Sequence, residues 1–131
     1  EPASSEVTLR WTQVAADDGP GLESAACAAA NESCFFVFGG RAAFNERRQL
    51  HRFCLDSSTK SAGTWTQLWP LSSSADANAG PEARQGAGLL LVDGDLVGRP
   101  EEAQVLVVAG GSSSGTLRTD VWCYGLSTST W

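Results

Sequence analysis

The apolar and polar positions of this chain fall into short runs of strand length, separated by clusters of Gly, Ser, Asp and Pro. Val7, Leu9 and Trp11 alternate with Thr8, Arg10 and Thr12, which predicts a half-buried strand over 7–14 after a tail at 1–6. Further strands are expected over 24–29, 34–38, 50–55 and 64–69. A second series follows over 86–92, 105–109 and 120–126, and residues 128–131 begin one more. Asp17-Asp18-Gly19-Pro20-Gly21 breaks the first connection, and Pro70 stops the strand before it. Residues 71–83, rich in Ser, Ala, Asn, Gly and Pro, form a connection long enough to be functional or disordered.

The two series repeat one another. Phe36-Val37-Phe38-Gly39-Gly40 aligns with Val107-Val108-Ala109-Gly110-Gly111, and Phe53-Cys54-Leu55 aligns with Tyr124-Gly125-Leu126. A partial third copy at the start aligns Trp11 with Trp65, and Trp131 takes the same place at the end. A unit of about 50 residues, marked by Gly-Gly and a later aromatic, is the pattern of a β-propeller blade. The expected fold is all-β, built from four-stranded antiparallel meanders, about two in number. Strand 7–14 is the outer strand of one blade, 24–69 is a complete blade, and 84–131 is a blade lacking most of its last strand. The tryptophans at 11, 65 and 131 are then expected to pack between blades.

At these residues the chain resembles the kelch repeat family. The resemblance rests on the apolar strand ending in Gly-Gly, on Asp120-Val121-Trp122-Cys123-Tyr124, on the later Trp, and on Pro81-Glu82-Ala83-Arg84 before the second series. It covers about residues 7 to 131. Two features depart from it. Phe53 lies twelve residues before Trp65 but Tyr124 only seven before Trp131, and Cys54 and Gly125 stand where an aspartate often follows the aromatic. The resemblance implies a propeller, which closes with typically 4–8 blades. Further blades are therefore expected from the same polypeptide or from a homo-oligomer. The chain starts at Glu1 and has no methionine, so an excerpt or a processed piece is expected.

Composition narrows the function. Hydrophobic residues make up 42% and charged residues 18%, which is globular. A net charge of −6 argues against nucleic-acid binding. No run approaches the roughly 20 apolar residues of a membrane span, so no membrane partner is expected. Against the acidic background, 41–52 carries Arg41, Arg47, Arg48 and Arg52 with Glu46 as its one acid. In an antiparallel meander, the loops 15–23, 41–49, 71–84 and 112–118 emerge on one face. Arg41, Arg47, Arg48, Arg84 and Arg118 on that face are expected to bind an acidic segment of a protein partner through carboxylate pairing. Trp69, beside Pro70 and the long loop, is either core or the aromatic that touches the partner.

Catalysis is not expected. Gly111-Ser112-Ser113-Ser114-Gly115 has the G-x-S-x-G form, but its context reads as loop then strand rather than strand then helix. A single histidine, His51, and a single tyrosine supply too few ligands for metal chemistry of the galactose oxidase kind. Cys27, Cys34, Cys54 and Cys123 lack metal-ligand spacing. Cys27 and Cys34 could approach across a hairpin, Cys54 and Cys123 read as buried thiols, and a reduced, intracellular and cytoplasmic setting is expected. Asn31-Glu32-Ser33, a glycosylation acceptor pattern, stands against that setting. The expected function is a non-catalytic protein-interaction scaffold without cofactors. Alternatives are a propeller domain positioning substrate for a larger multidomain enzyme, and a structural unit that oligomerises to close a ring.

Overall fold

The computed structural model describes residues 10–16, 19–71 and 79–131. Outside the described residues lie the expected tail, the first part of strand 7–14, Asp17-Asp18 and most of the 71–83 connection. The strands are β1 (Ala15–Ala16), β2 (Ala26–Ala29), β3 (Cys34–Phe38), β4 (Arg41–Ala42), β5 (Asn45–Glu46), β6 (Leu50–Leu55) and β7 (Ala62–Trp69). They continue with β8 (Gly88–Asp93), β9 (Gln104–Ala109), β10 (Ser112–Ser113), β11 (Thr116–Leu117) and β12 (Val121–Gly125). The protein is all-β. Strands β2, β3, β6 and β7 form an antiparallel meander, with β1 added parallel to the outer edge of β7. Strands β8, β9 and β12 form a second meander.

The repeat holds at the level of hydrogen-bond register. In β3–β6, Phe38 faces Leu50 and Cys34 faces Cys54. In β9–β12, Ala109 faces Val121 and Val105 faces Gly125, the same pairs moved by 71 residues (38 to 109, 50 to 121). The first strands are offset by 62 instead (Ala26 to Gly88), and the extra residues form the connection from β8 to β9, which contains a 3-10 turn at Gly94–Val97. Phe53 pairs with Trp65 across β6–β7, their rings 5.0 Å apart. The equivalent rings, Tyr124 and Trp131, lie 5.1 Å apart, next to a bridge between Gly125 and Thr130.

The two sheets stack through unlike faces. Phe36, Phe38, Leu50 and Trp69 of the first sheet meet Leu106, Val108 and Tyr124 of the second in one core. Successive strand residues point to opposite faces, so the residues equivalent to Phe36 and Leu50, namely Val107 and Val121, lie on the far side of the second sheet. Leu50 is 0% exposed and Val121 is 64% exposed. One repeat position is thus core in the first copy and open in the second. Trp131 closes the junction, with ring centroids 5.7 Å from Phe38 and 5.4 Å from Trp69. Burying each such side chain stabilises the stack by about 1.5–3 kcal/mol.

Two expectations need correction. Residues 10–14 are not strand, and Trp11 is 97% exposed. Of the three tryptophans expected between blades only Trp131 packs at the junction of the sheets; Trp65 lies against Phe35 and Phe53 of its own sheet, and Trp11 shares neither setting. The cysteines also pair differently. Cys34 is bonded to Cys54, while Cys27 and Cys123 are free. Facing positions on neighbouring antiparallel strands bring the Cα atoms of Cys34 and Cys54 to 4.2 Å. Cys27 faces Val37 instead. The Gly111–Gly115 stretch forms β10 and a turn into β11, with no helix after it.

Glu102 is a buried carboxylate that sequence reasoning passed over. Its oxygens accept hydrogen bonds from the Ser127 N–H (2.8 Å), the Thr128 N–H (3.1 Å) and the Thr128 hydroxyl. They fix the turn after β12. A Cβ at Gly125 would stand 2.1 Å from Glu102 Oε1, so the glycine makes room for this carboxylate. The Thr128 hydroxyl and the Ser127 N–H lower the Glu102 pKa from 4.5 to about 2. A depressed carboxyl stabilises the fold above its unfolded value and loses that effect as pH falls through the folded one. Acid titration followed by circular dichroism should therefore show Glu102→Gln less stable than wild type at neutral pH. The gap should close between about pH 4.5 and pH 2. A gap independent of pH would contradict this role.

Candidate functional site

Each central strand ends on a glycine pair, and both pairs lie at the same end of the stacked sheets. Gly40 and Gly111 have φ of 87° and 94°, where side chains are disfavoured. They also let another strand of backbone pass close by. A Cβ on Gly40 would be 2.9 Å from the Glu23 carbonyl, and one on Gly111 would be 2.8 Å from the Gln85 carbonyl. The neighbouring segments pair in the same way in both copies, Glu23 with Arg41 and Gln85 with Ser112.

Immediately after each glycine pair the chain makes a small hairpin. In β4–β5, Arg41 faces Glu46 and Ala42 faces Asn45; in β10–β11, Ser112 faces Leu117 and Ser113 faces Thr116. These connections were expected to be plain loops. The only direct signal is Gly115, at the turn of the second hairpin. The first turn is built on Ala43 and Phe44 with φ of 46° and 72°, a left-handed conformation that neither residue favours. The two hairpins are joined by the Ser114 N–H, which donates to Glu46 Oε2 at 2.7 Å. Their tips are apolar and open: Phe44 is 88% exposed and Leu117 82%. A groove of about 560 Å³ runs beside the first hairpin, along Gly21, Leu22, Glu23 and Arg41. Another of about 610 Å³ runs beside the second, along Ser24, Gly86, Leu117 and Arg118.

The charged residues expected on this face divide into two groups. Arg41 lies on β4, Arg47 and Arg48 follow β5, and Arg118 follows β11; Nε and one terminal nitrogen of Arg48 are buried. Arg41 Nε donates to Glu23 at 2.7 Å, and its guanidinium lies 5.7 Å from the Phe44 ring. Arg118 pairs with Glu82. The half-buried Arg47 side chain makes no hydrogen bond or ion pair with described residues. Arg48 lies over the Trp69 ring at 4.5 Å; burial lowers its pKa and Glu82 opposes that shift. Such a stack is worth about 1 kcal/mol. Asp17, Asp18 and Asp76, acids on the same loops in sequence, lie outside the described residues.

Arg84 is not open on this face, which corrects the expected site, and of the two readings of Trp69 the structure gives the core one. Trp69 is 3% exposed in the core between the sheets. Arg84 is 1% exposed and pairs with both carboxylate oxygens of Asp120, at 2.6 and 2.9 Å. It also donates to the Gly110 carbonyl at 3.0 Å and the Glu82 carbonyl at 3.1 Å. Its own backbone N–H donates to the Arg47 carbonyl at 2.9 Å, and its carbonyl accepts from the Gly40 N–H at 2.8 Å. One residue thus binds both glycine pairs. The Arg84 guanidinium and the Trp122 indole N–H (2.7 Å) hold the Asp120 carboxyl far below the usual carboxylate range.

Among the described residues, no group of three or more His, Cys, Asp and Glu side chains could hold a metal ion. His51 is half-buried on β6 beside Trp65, and burial lowers its pKa. No protein-family model matches the chain, and no curated protein matches it.

Removing Asp120 leaves the Arg84 charge buried and unpaired, which costs about 3 kcal/mol. Urea unfolding followed by tryptophan fluorescence should show that loss in Asp120→Ala. Arg84→Lys should also be destabilised, because an ammonium cannot serve a two-pronged carboxylate and a carbonyl at once. Wild-type stability in both variants would contradict the clamp.

Proposed function

We propose that the protein is a non-catalytic interaction scaffold of kelch-type propeller blades, binding a protein partner with the hairpin face. Three things support the propeller. The two meanders share one register in their central strands, they stack through unlike faces, and the far side of the second sheet leaves Leu90 (61%) and Val121 (64%) exposed. Stacking of unlike faces is heterologous, so it invites a further unit rather than closing after two. Those units come from the same polypeptide or from further copies.

The observation that carries the binding reading is the pair of repeat-related hairpins standing side by side with exposed Phe44 and Leu117. Backbone strain persists where the surroundings impose it, and here it holds Phe44 out into solvent. An aromatic anchor with arginines around it is the composition of a binding hot spot. Arg41, Arg47, Arg48 and Arg118 supply charge for an acidic segment of the partner, with Glu23 and Glu82 occupying two of them in the free protein. The Cys34–Cys54 bridge supports an oxidising compartment in place of the intracellular, cytoplasmic one.

Phe44→Gly separates binding from folding. Glycine relieves the left-handed strain, so stability should hold or rise by about 1 kcal/mol. Capture of partners from the protein's own source should fall at least several-fold, and Arg47→Glu should lower it as well. Unchanged capture by both variants would sink the assignment of this face.

A further inference from the structure

We propose that Asn31 carries an N-linked glycan, set on the turn between β2 and β3 at the end of the first sheet opposite the hairpins. Asn31-Glu32-Ser33 has the acceptor form, with no proline at its centre. Asn45 and Asn78 are followed two positions later by Arg47 and Gly80, so Asn31 alone has it. The disulfide is the independent observation. Cys34, the next residue after the acceptor triplet, is bonded to Cys54, and such bonds persist in oxidising compartments, the secretory lumen among them. That is the setting in which asparagine glycosylation takes place.

The turn geometry accommodates the modification. Asn31 is exposed, and its Oδ1 accepts from the Ser33 N–H at 2.8 Å and the Cys34 N–H at 2.9 Å. These bonds hold the turn and use only the oxygen. The amide nitrogen Nδ2 makes no hydrogen bond with the described residues. A sugar on Nδ2 therefore breaks nothing in the fold. Beside it lies a shallow depression of about 370 Å³, whose apolar wall includes Ala29, Phe35, Phe53 and Leu55. The C–H face of the first sugar ring covers that wall, shielding apolar surface that water would otherwise meet.

The donor is an oligosaccharide linked to a lipid pyrophosphate. The bond from its anomeric carbon to the pyrophosphate oxygen breaks, and the lipid pyrophosphate leaves with the electron pair. The anomeric carbon bonds to Asn31 Nδ2, which gives up one proton to solvent. No oxidation or reduction occurs.

The test uses the chain purified from its native source. Peptide mapping by mass spectrometry should find the Asn31 peptide carrying hexosamine-rich sugar. Peptide N-glycosidase should remove that sugar and convert Asn31 to aspartate. Ser33→Ala and Asn31→Asp should each abolish the glycosidase-sensitive gel shift. Asn31→Asp keeps the oxygen that holds the turn, so loss of the shift in a folded Asn31→Asp chain reports the acceptor itself. An unmodified Asn31 peptide from the native source overturns the proposal. So does a glycosidase-sensitive shift that survives both substitutions. Partner capture at the hairpin face should be the same with and without the glycan, since the two lie at opposite ends of the sheet.

Discussion

A buried cation facing two backbones holds the two halves of this protein in register. Arg84 has four side-chain hydrogen bonds, two of them to Asp120, and its backbone pairs with Arg47 and Gly40. A guanidinium taken out of water is costly unless its donors are paired and hydrogen-bonded. Here their partners come from the second sheet and from the segment just before Arg84. The Gly39 and Gly111 positions, free of Cβ atoms, let the backbone at Arg84 and Gln85 come this close. The glycine pairs and the arginine are therefore one device. Without the close approach the arginine has no partners, and without the arginine the two hairpins lose their common base.

From that base the rest follows by packing. Because the sheets meet through unlike faces, Leu50 and Val121 occupy one repeat position and have opposite fates. The first is core and the second faces solvent. Stacking of this heterologous kind leaves room for a further unit, and it leaves the two hairpins side by side at one end of the sheets. The strained Ala43-Phe44 turn and the exposed Leu117 then sit on a rigid support, where loops most often carry recognition. The kelch-type scaffold we propose rests on this geometry, and the acidic-segment partner we propose rests on the arginines around the hairpins.

Much of the fold was legible because alternation and punctuation agree. Cys34–Phe38 and Leu50–Leu55 have the bounds that their apolar runs predict, and the repeat-related Trp65 and Trp131 each lie against the aromatic of the preceding strand, Phe53 and Tyr124. Properties set by partners across space were less legible. Arg84 reads as one of five arginines on a loop face, since nothing local reveals that Asp120 lies opposite it. The disulfide depends on the β3–β6 register, which sequence spacing does not specify. The Ala43-Phe44 hairpin lacks the Asn-Gly or Gly-Gly signature of its turn, so its second copy at Ser114-Gly115 was the one visible hint. Trp11 matches Trp65 in local pattern, yet no strand pairs with it among the described residues and it is exposed.

Native-state amide hydrogen exchange at Gly40 and Arg84 tests the clamp most directly. Their N–H groups donate across segments, to the Arg84 and Arg47 carbonyls. If the clamp joins the sheets into one cooperative unit, both amides should open with free energies within about 1 kcal/mol of those at Phe38 and Val108 in the core. Exchange at Gly40 and Arg84 as fast as in an unprotected loop, with Phe38 and Val108 still protected, would contradict it.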